Sequence, residues 1–162
     1  MFKHDLDNPA SISHNFIRTV FQSSDSTIWV GTSHGLNRWD VDKMAFQRYT
    51  VEDGLSNDVI HSIKEDEEGF LWLSTNKGLS KFDPQNITFL NFHYHDGLQS
   101  NEFNTNASFK DQDGTLYFGG INGFNKFKPE DIKTNTYPLQ VYFHSITTIT
   151  VSYTHLTLPT KA

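Results

Sequence analysis

The chain of 162 residues has no cysteine, two methionines and five prolines. Without cysteine there is no disulfide, no thiol nucleophile and no thiolate ligand for zinc, although the absence leaves the redox compartment open. Cations are also few: 13 Lys and Arg stand against 19 Asp and Glu, a net charge of −6, and they are scattered singly. No basic stripe is available to neutralise phosphates, so nucleic acid is excluded as a partner and an anionic membrane surface is disfavoured. No apolar run reaches the length of a membrane span, and Met1-Phe2-Lys3-His4-Asp5 lacks the apolar centre of a signal peptide. Helical periodicity is lacking as well. What is present is 36% hydrophobic and 14% aromatic residues, in short alternating runs separated by Gly, Asn and Asp. That pattern predicts an all-β fold with a packed core.

The runs repeat. Residues 29–40, WVGTSHGLNRWD, align with residues 72–83, WLSTNKGLSKFD, at an offset of 43. The same offset carries Phe46 to Phe89, Tyr49 to Phe92 and Asp53-Gly54-Leu55 to Asp96-Gly97-Leu98. A third copy, residues 117–127, YFGGINGFNKF, follows the second at an offset of 45. Each unit divides into four short strands, drawn in the second as Val59–Lys64, Phe70–Ser74, Leu79–Asp83 and Thr88–Phe92. Four strands at this period describe a blade of a β-propeller. The fold expected is a partial β-propeller of about three four-stranded blades. Gly35, Gly78 and Gly123 each end a short polar turn where a positive φ suits glycine. Trp29, Trp72 and Tyr117 occupy one repeat position and Trp39, Phe82 and Phe127 another. Packing between adjacent blades is the reading for the first set, with carbohydrate stacking as its alternative.

An aspartate-glycine turn before Leu-Trp-hydrophobic-Gly-Thr, then Gly-Leu-x-Arg-aromatic-Asp, then a spaced Gly-Leu-x-Asn, resembles the two-component-regulator propeller repeat, from about Phe2 to Lys128. The resemblance implies a hybrid two-component sensor of the Bacteroidetes type, with a periplasmic region of two propellers and a β-sandwich. A membrane helix and a cytoplasmic histidine kinase would follow, and many such proteins sense glycans. The third copy is similar to a closing blade, and Asn135-Thr136-Tyr137-Pro138 with Val141-Tyr142-Phe143 resembles the start of the sandwich. Residues 151–162 resemble a translated sequencing-adapter tail, with a strand as the alternative. The organisation expected is therefore the outer strand and loop of a preceding blade over 1–14, blades over 15–56 and 57–100, and an incomplete terminal blade over 101–134. A linker and first sandwich strand are expected over 135–150, and a non-native tail over 151–162.

With strands running from the axis outward, the loops joining blades and those between second and third strands share one face. Ligand sites on propellers favour such a face. The candidates are Asn57, Asp58 and His61, their counterparts Asn101, Glu102 and Asn104, and the turn residues His34, Asn76, Lys77 and Asn122. Their amides, carboxylates and imidazoles suit a hydroxyl-rich ligand such as an oligosaccharide. The alternative for each is a turn residue bonding its own backbone. As further partners the resemblance implies the remaining blades and the sandwich of a longer, homodimeric parent.

No catalytic residue, metal or cofactor is expected. His93 and His95 have metal-pair spacing on one strand face but lack a third ligand. Asp111-Gln112-Asp113-Gly114 resembles the opening of a calcium loop, yet a hairpin turn explains it. Glu65-Asp66-Glu67-Glu68 reads as a solvated turn. A sialidase-like hydrolase is one alternative, since Ser24–Trp29 and Asp113–Tyr117 are similar to aspartate boxes; its clustered arginines are lacking, only Arg18, Arg38 and Arg48 being present. A protein-interaction propeller scaffold, suggested by Trp39-Asp40, is the other.

Overall fold

The computed structural model describes residues 1–132. The linker, sandwich strand and tail expected over 135–162 lie outside the described residues.

Three antiparallel sheets follow one another along the chain. The first contains β1 (Ile17–Gln22), β2 (Ile28–Thr32), β3 (Gly35–Asp40) and β4 (Ala45–Tyr49) in sequence order. The second contains β5 (Ile60–Glu65), β6 (Leu71–Thr75), β7 (Gly78–Asp83) and β8 (Thr88–Phe92), and the third contains β9 (Phe103–Lys110), β10 (Leu116–Gly120) and β11 (Gly123–Phe127). The leading strands β1, β5 and β9 lie beside one another, so the sheets radiate from a common inner edge as propeller blades do. The third blade has three strands among the described residues, not four. After β11 the chain turns into a 3₁₀ segment, Pro129–Asp131, whose proline has no N–H to give a ladder.

Residues 1–14 contain no strand. One backbone bond, from Phe46 N–H to the Ala10 carbonyl at 2.8 Å, joins this segment to β4, and Arg48 clamps it by donating to the Ser11 and Asn8 carbonyls at 2.7 and 2.9 Å. The Phe2 ring packs 4.5 Å from Trp39 and 5.5 Å from Phe46. The expected outer strand is thus a loop, held against β4 by one backbone bond and by side chains rather than by a ladder.

Alternation along the strands gives every blade two apolar faces. Trp29, Leu36 and Tyr49 of the first pack on Ile60, Ile63, Leu71, Leu73 and Phe82 of the second. On the second blade's other face Trp72 and Leu79 meet Phe103, Leu116 and Phe118 of the third. Trp29 and Trp72 are therefore interblade core, and stacking on carbohydrate is closed to them. Tyr117, their counterpart, is half-buried between Phe109 and Phe124, both exposed. Phe127 lies 4.9 Å from Trp72, while Trp39 sits at the outer rim with Phe46.

The hairpins between first and second strands share one device. Ser23, Asp66 and Asp111 occupy equivalent positions, and each donates its N–H to the carbonyl four residues on, at 3.0, 3.0 and 3.1 Å. Each also accepts, on its side chain, the polar hydrogen of the aromatic six residues on, Trp29, Trp72 or Tyr117, at 3.2, 2.9 and 3.1 Å. The repeat aromatic is fixed in rotation by its own turn. The acidic run 65–68 is more than a solvated turn: Asp66 is buried, Glu65 accepts from Ser24 of the first blade at 2.7 Å, and Glu67 pairs with Lys110 of the third at 2.7 Å.

The second turns carry a backbone requirement. Gly78 has φ +95°, donates its N–H to the Asn101 carbonyl at 2.7 Å, and has no room for a Cβ against the Phe92 carbonyl oxygen. Gly78→Ala is expected to lower stability by about 2 kcal/mol in urea unfolding, from strain and collision together. A loss below about 0.5 kcal/mol would show that this turn relaxes freely.

Candidate functional site

The first-to-second strand ladders slip at the inner edge. The register shifts between Ile17 and Thr19 in β1 and between Ile60 and Ser62 in β5, leaving Arg18 and His61 as the extra residues. In β9 the irregularity falls between the pairs Phe103–Gly120 and Ser108–Phe118, and Asn106 within it has φ +58°. A bulge bends a strand and re-aims the side chain it leaves unpaired. Here the bulges bring side chains of all three blades together.

Arg18 donates from Nε to Ser33 Oγ at 3.0 Å and from Nη1 to Thr105 Oγ1 at 3.1 Å. His61 Nδ1 is 2.9 Å from Thr105 Oγ1, and its Nε2 is 2.7 Å from Asn76 Oδ1. An amide oxygen only accepts, so His61 carries its hydrogen on Nε2, and Nδ1 accepts from the Thr105 hydroxyl, which accepts from Arg18 in turn. One directional chain thus runs Arg18, Thr105, His61, Asn76. Ser33 and Asn76 are equivalent turn residues, as Arg18 and His61 are equivalent bulge residues, at the repeat offset of 43.

His61 is buried, and burial holds its pKa below the ordinary value, assisted by the Arg18 charge and opposed by the bond to Asn76. An unfolded histidine, titrating near about 6.5, takes up the proton first. The contribution of the neutral form to stability is therefore complete above that pH and declines as pH falls toward the lower folded value. The urea midpoint of the parent chain should drop from pH 7.5 to pH 5.5 by more than that of His61→Gln. Equal drops would place the acid sensitivity elsewhere.

Of the candidates from sequence, His61 and Asn76 meet directly. Asn57 Oδ1 caps Val59 N–H at 3.0 Å, Asp58 Oδ1 takes Val51 N–H at 2.8 Å and Asn101 Oδ1 takes Tyr94 N–H at 2.7 Å, so these three side chains fasten interblade loops. The Asp58 carbonyl also receives Gly35 N–H at 2.6 Å, as that of Asn101 receives Gly78 N–H. Asn122 is engaged with Gln99 at 3.2 Å. His34, Lys77, Glu102 and Asn104 are exposed on the same rim. Arg18, Ser33 and Thr105 complete the cluster and were not among the candidates; the signal for Arg18 and Ser33 was their alignment with His61 and Asn76. His93 and His95 do not share a strand face: β8 ends at Phe92, His93 Nδ1 is 3.0 Å from the Lys77 carbonyl, and His95 lies in the 3₁₀ turn Tyr94–Asp96. Asp111–Gly114 is a hairpin turn, with Gly114 at φ +82° donating to the Asp111 carbonyl at 3.3 Å.

The segments that contribute these pairs, residues 11–34 and 54–77, match the two-component regulator propeller family. They are two-component-regulator propeller repeats. Each matched repeat includes a bulge residue and its turn partner, Arg18 with Ser33 and His61 with Asn76. Among solved structures, the chain is similar to the extracellular domain of the hybrid two-component system BT3049 from B. thetaiotaomicron, with 31% identity and a TM-score of 0.68 over 72% of this chain. The chain spans only 16% of that domain. The extracellular domain of the hybrid system BT4673 from the same organism is 21% identical, with a TM-score of 0.47 over 81% of this chain and 25% of the other. A virginiamycin B lyase from Staphylococcus aureus shares the fold at 14% identity, with a TM-score of 0.50 over 71% of this chain and 42% of the lyase. No curated protein sequence matches the chain. Among the described residues no helix is long and apolar enough to cross a membrane.

Proposed function

We propose that the chain is part of the periplasmic ligand-sensing region of a hybrid two-component sensor. In this reading it binds an oligosaccharide at the inner-edge rim and passes the signal by rigid-body movement to a histidine kinase carried elsewhere in a longer, homodimeric protein. It performs no chemistry of its own. The observation that carries the reading is the placement of the polar chain Arg18, Thr105, His61 and Asn76 on bulges and turns of the matched repeats. Side chains from three blades meet there, so a ligand touching them feels any change in blade spacing. Hydroxyl, amide and imidazole groups are the partners that a saccharide needs. Likeness to the BT3049 extracellular domain supports the cellular side.

A sialidase-type reaction is less well supported, because Arg18 is the one arginine of the cluster; Arg48 is committed to the carbonyls of residues 8 and 11. A glycan array probed with the full chain tests the proposal. Binding of a defined set of oligosaccharides, recovered uncleaved, is the expected result. An array without a bound glycan, or cleavage of the bound one, would overturn it.

A further inference from the structure

We infer that the saccharide bound at this rim carries a carboxylate and that Arg18 is the residue that reads it; the inference rests on the sensing role proposed above.

The charge state of the cluster carries the argument. Lys43, Lys81, Lys110 and Lys128 each lie within 4.0 Å of a carboxylate. Among the described residues Arg18 has no such partner, nor do Arg38 and Arg48, and of the three arginines it is the one in the inner-edge cluster. Its partners are two neutral hydroxyls, Ser33 and Thr105, with the Phe16 ring 5.1 Å from its guanidinium carbon. The hydroxyls orient the guanidinium without neutralising it. Of its five N–H groups, one on Nε and one on Nη1 are engaged. Three remain, one on Nη1 and two on Nη2, so the guanidinium keeps donors of the kind that bind a carboxylate through charge-assisted bonds.

Neighbouring groups keep this charge single and directed. Burial favours the neutral form of His61, so the lasting positive charge of the cluster is that of Arg18. The Thr105 hydroxyl, which accepts from Arg18, donates onward to His61 and Asn76 takes the far end, so the arginine is locked from its protein side. Arg18 is half-buried and Thr105 exposed, so the cluster opens to solvent. His34 and Asn104, exposed beside Ser33 and Thr105 in sequence, are placed to meet the hydroxyls of the sugar ring. A uronic acid unit combines the two features that this arrangement selects, a planar carboxylate and adjacent hydroxyls.

The test is calorimetric titration of the full chain at low ionic strength with digalacturonate, its dimethyl ester and the sugar-free diacid glutarate. The expected result is binding of digalacturonate that weakens by at least about tenfold on esterification and again in Arg18→Gln, the scale of one charge-assisted pair. Arg18→Lys should recover part of the affinity by keeping the charge while losing the fork. Near-ultraviolet circular dichroism and urea midpoints of both variants establish that the fold is kept. Equal binding of the acid and the ester, unchanged by Arg18→Gln, would overturn the inference and leave saccharide sensing standing. Arg18-dependent binding of glutarate as tight as that of digalacturonate would keep the carboxylate and overturn the saccharide. Absence of binding by all three probes would overturn the uronate assignment outright.

Discussion

Truncating Phe82 to alanine should remove about 3–5 kcal/mol of stability, enough to separate the first two blades in mild denaturant. Phe82 is fully buried on β7, on the face that the second blade turns toward the first. Its ring lies 5.7 Å from Trp29 in an edge-on arrangement, 5.0 Å from Tyr49 and 4.4 Å from Phe89 in a stacked one. Two of those rings belong to the first blade and one to the second, so the residue is a pin between blades. Deleting it removes the transfer energy of a large aromatic and leaves a cavity that stiff strands cannot collapse into. A domain of ordinary stability has only about 5–15 kcal/mol in total. Trp29 is itself a reporter: its fluorescence should shift at a lower urea concentration in Phe82→Ala, with the transition of the second blade following separately. A single transition shifted by under 1 kcal/mol would show that the blades are held together by something other than this cluster.

The equivalent aromatic of the first blade puts that prediction in context. Trp39 is half-buried at the rim, where Phe2 and Phe46 cover it. Equivalence in the repeat fixed where both residues sit in their strands, and burial then depended on which neighbour lies outside the sheet. Strand order was legible for the same reason: an offset of 43 with loop-confined insertions leaves a single way to pair the runs. The bulges were not legible, because an extra residue inside β1 recurs inside β5 and so produces no gap in the alignment. Thr105 was hidden further, since the irregular part of β9 breaks the correspondence between units where the third copy joins the cluster. Asn57, Asp58 and Asn101 were visible as polar loop residues, yet sequence does not show whether such a side chain faces a ligand or a backbone N–H of its own loop. Asp66 was concealed by its neighbours, for an acid between Glu65 and Glu67 reads as solvated until its indole partner is seen.

That partnership supports the second large effect. Asp66 is buried, and its Oδ1 accepts the N–H groups of Glu68 at 3.0 Å and Phe70 at 2.9 Å, while Oδ2 accepts the Trp72 indole N–H at 2.9 Å. Lys81 Nζ lies 3.9 Å from Oδ2. Asp66→Ala leaves three donors without their acceptor, one on a tryptophan that is itself buried, and should cost about 3 kcal/mol. The first blade shows how the same turn works without an aspartate at this position. Ser23 Oγ accepts the Trp29 indole at 3.2 Å, and Asp25, two residues on, takes the Thr27 amide at 3.0 Å. Glu68 stands where Asp25 does, but it is one methylene longer and exposed. Asp66→Ser should therefore keep the indole bond, lose the amide bonds and cost less than the alanine change. Adding Glu68→Asp transplants the other half of the first blade's arrangement and should restore at least half of the loss, a coupling that a double-mutant cycle isolates. Urea unfolding of the four proteins reads the order directly. If Asp66→Ser/Glu68→Asp is no more stable than Asp66→Ala, the carboxylate contributes through Lys81 and the field around it, and the turn bonds are not what holds Trp72 in place.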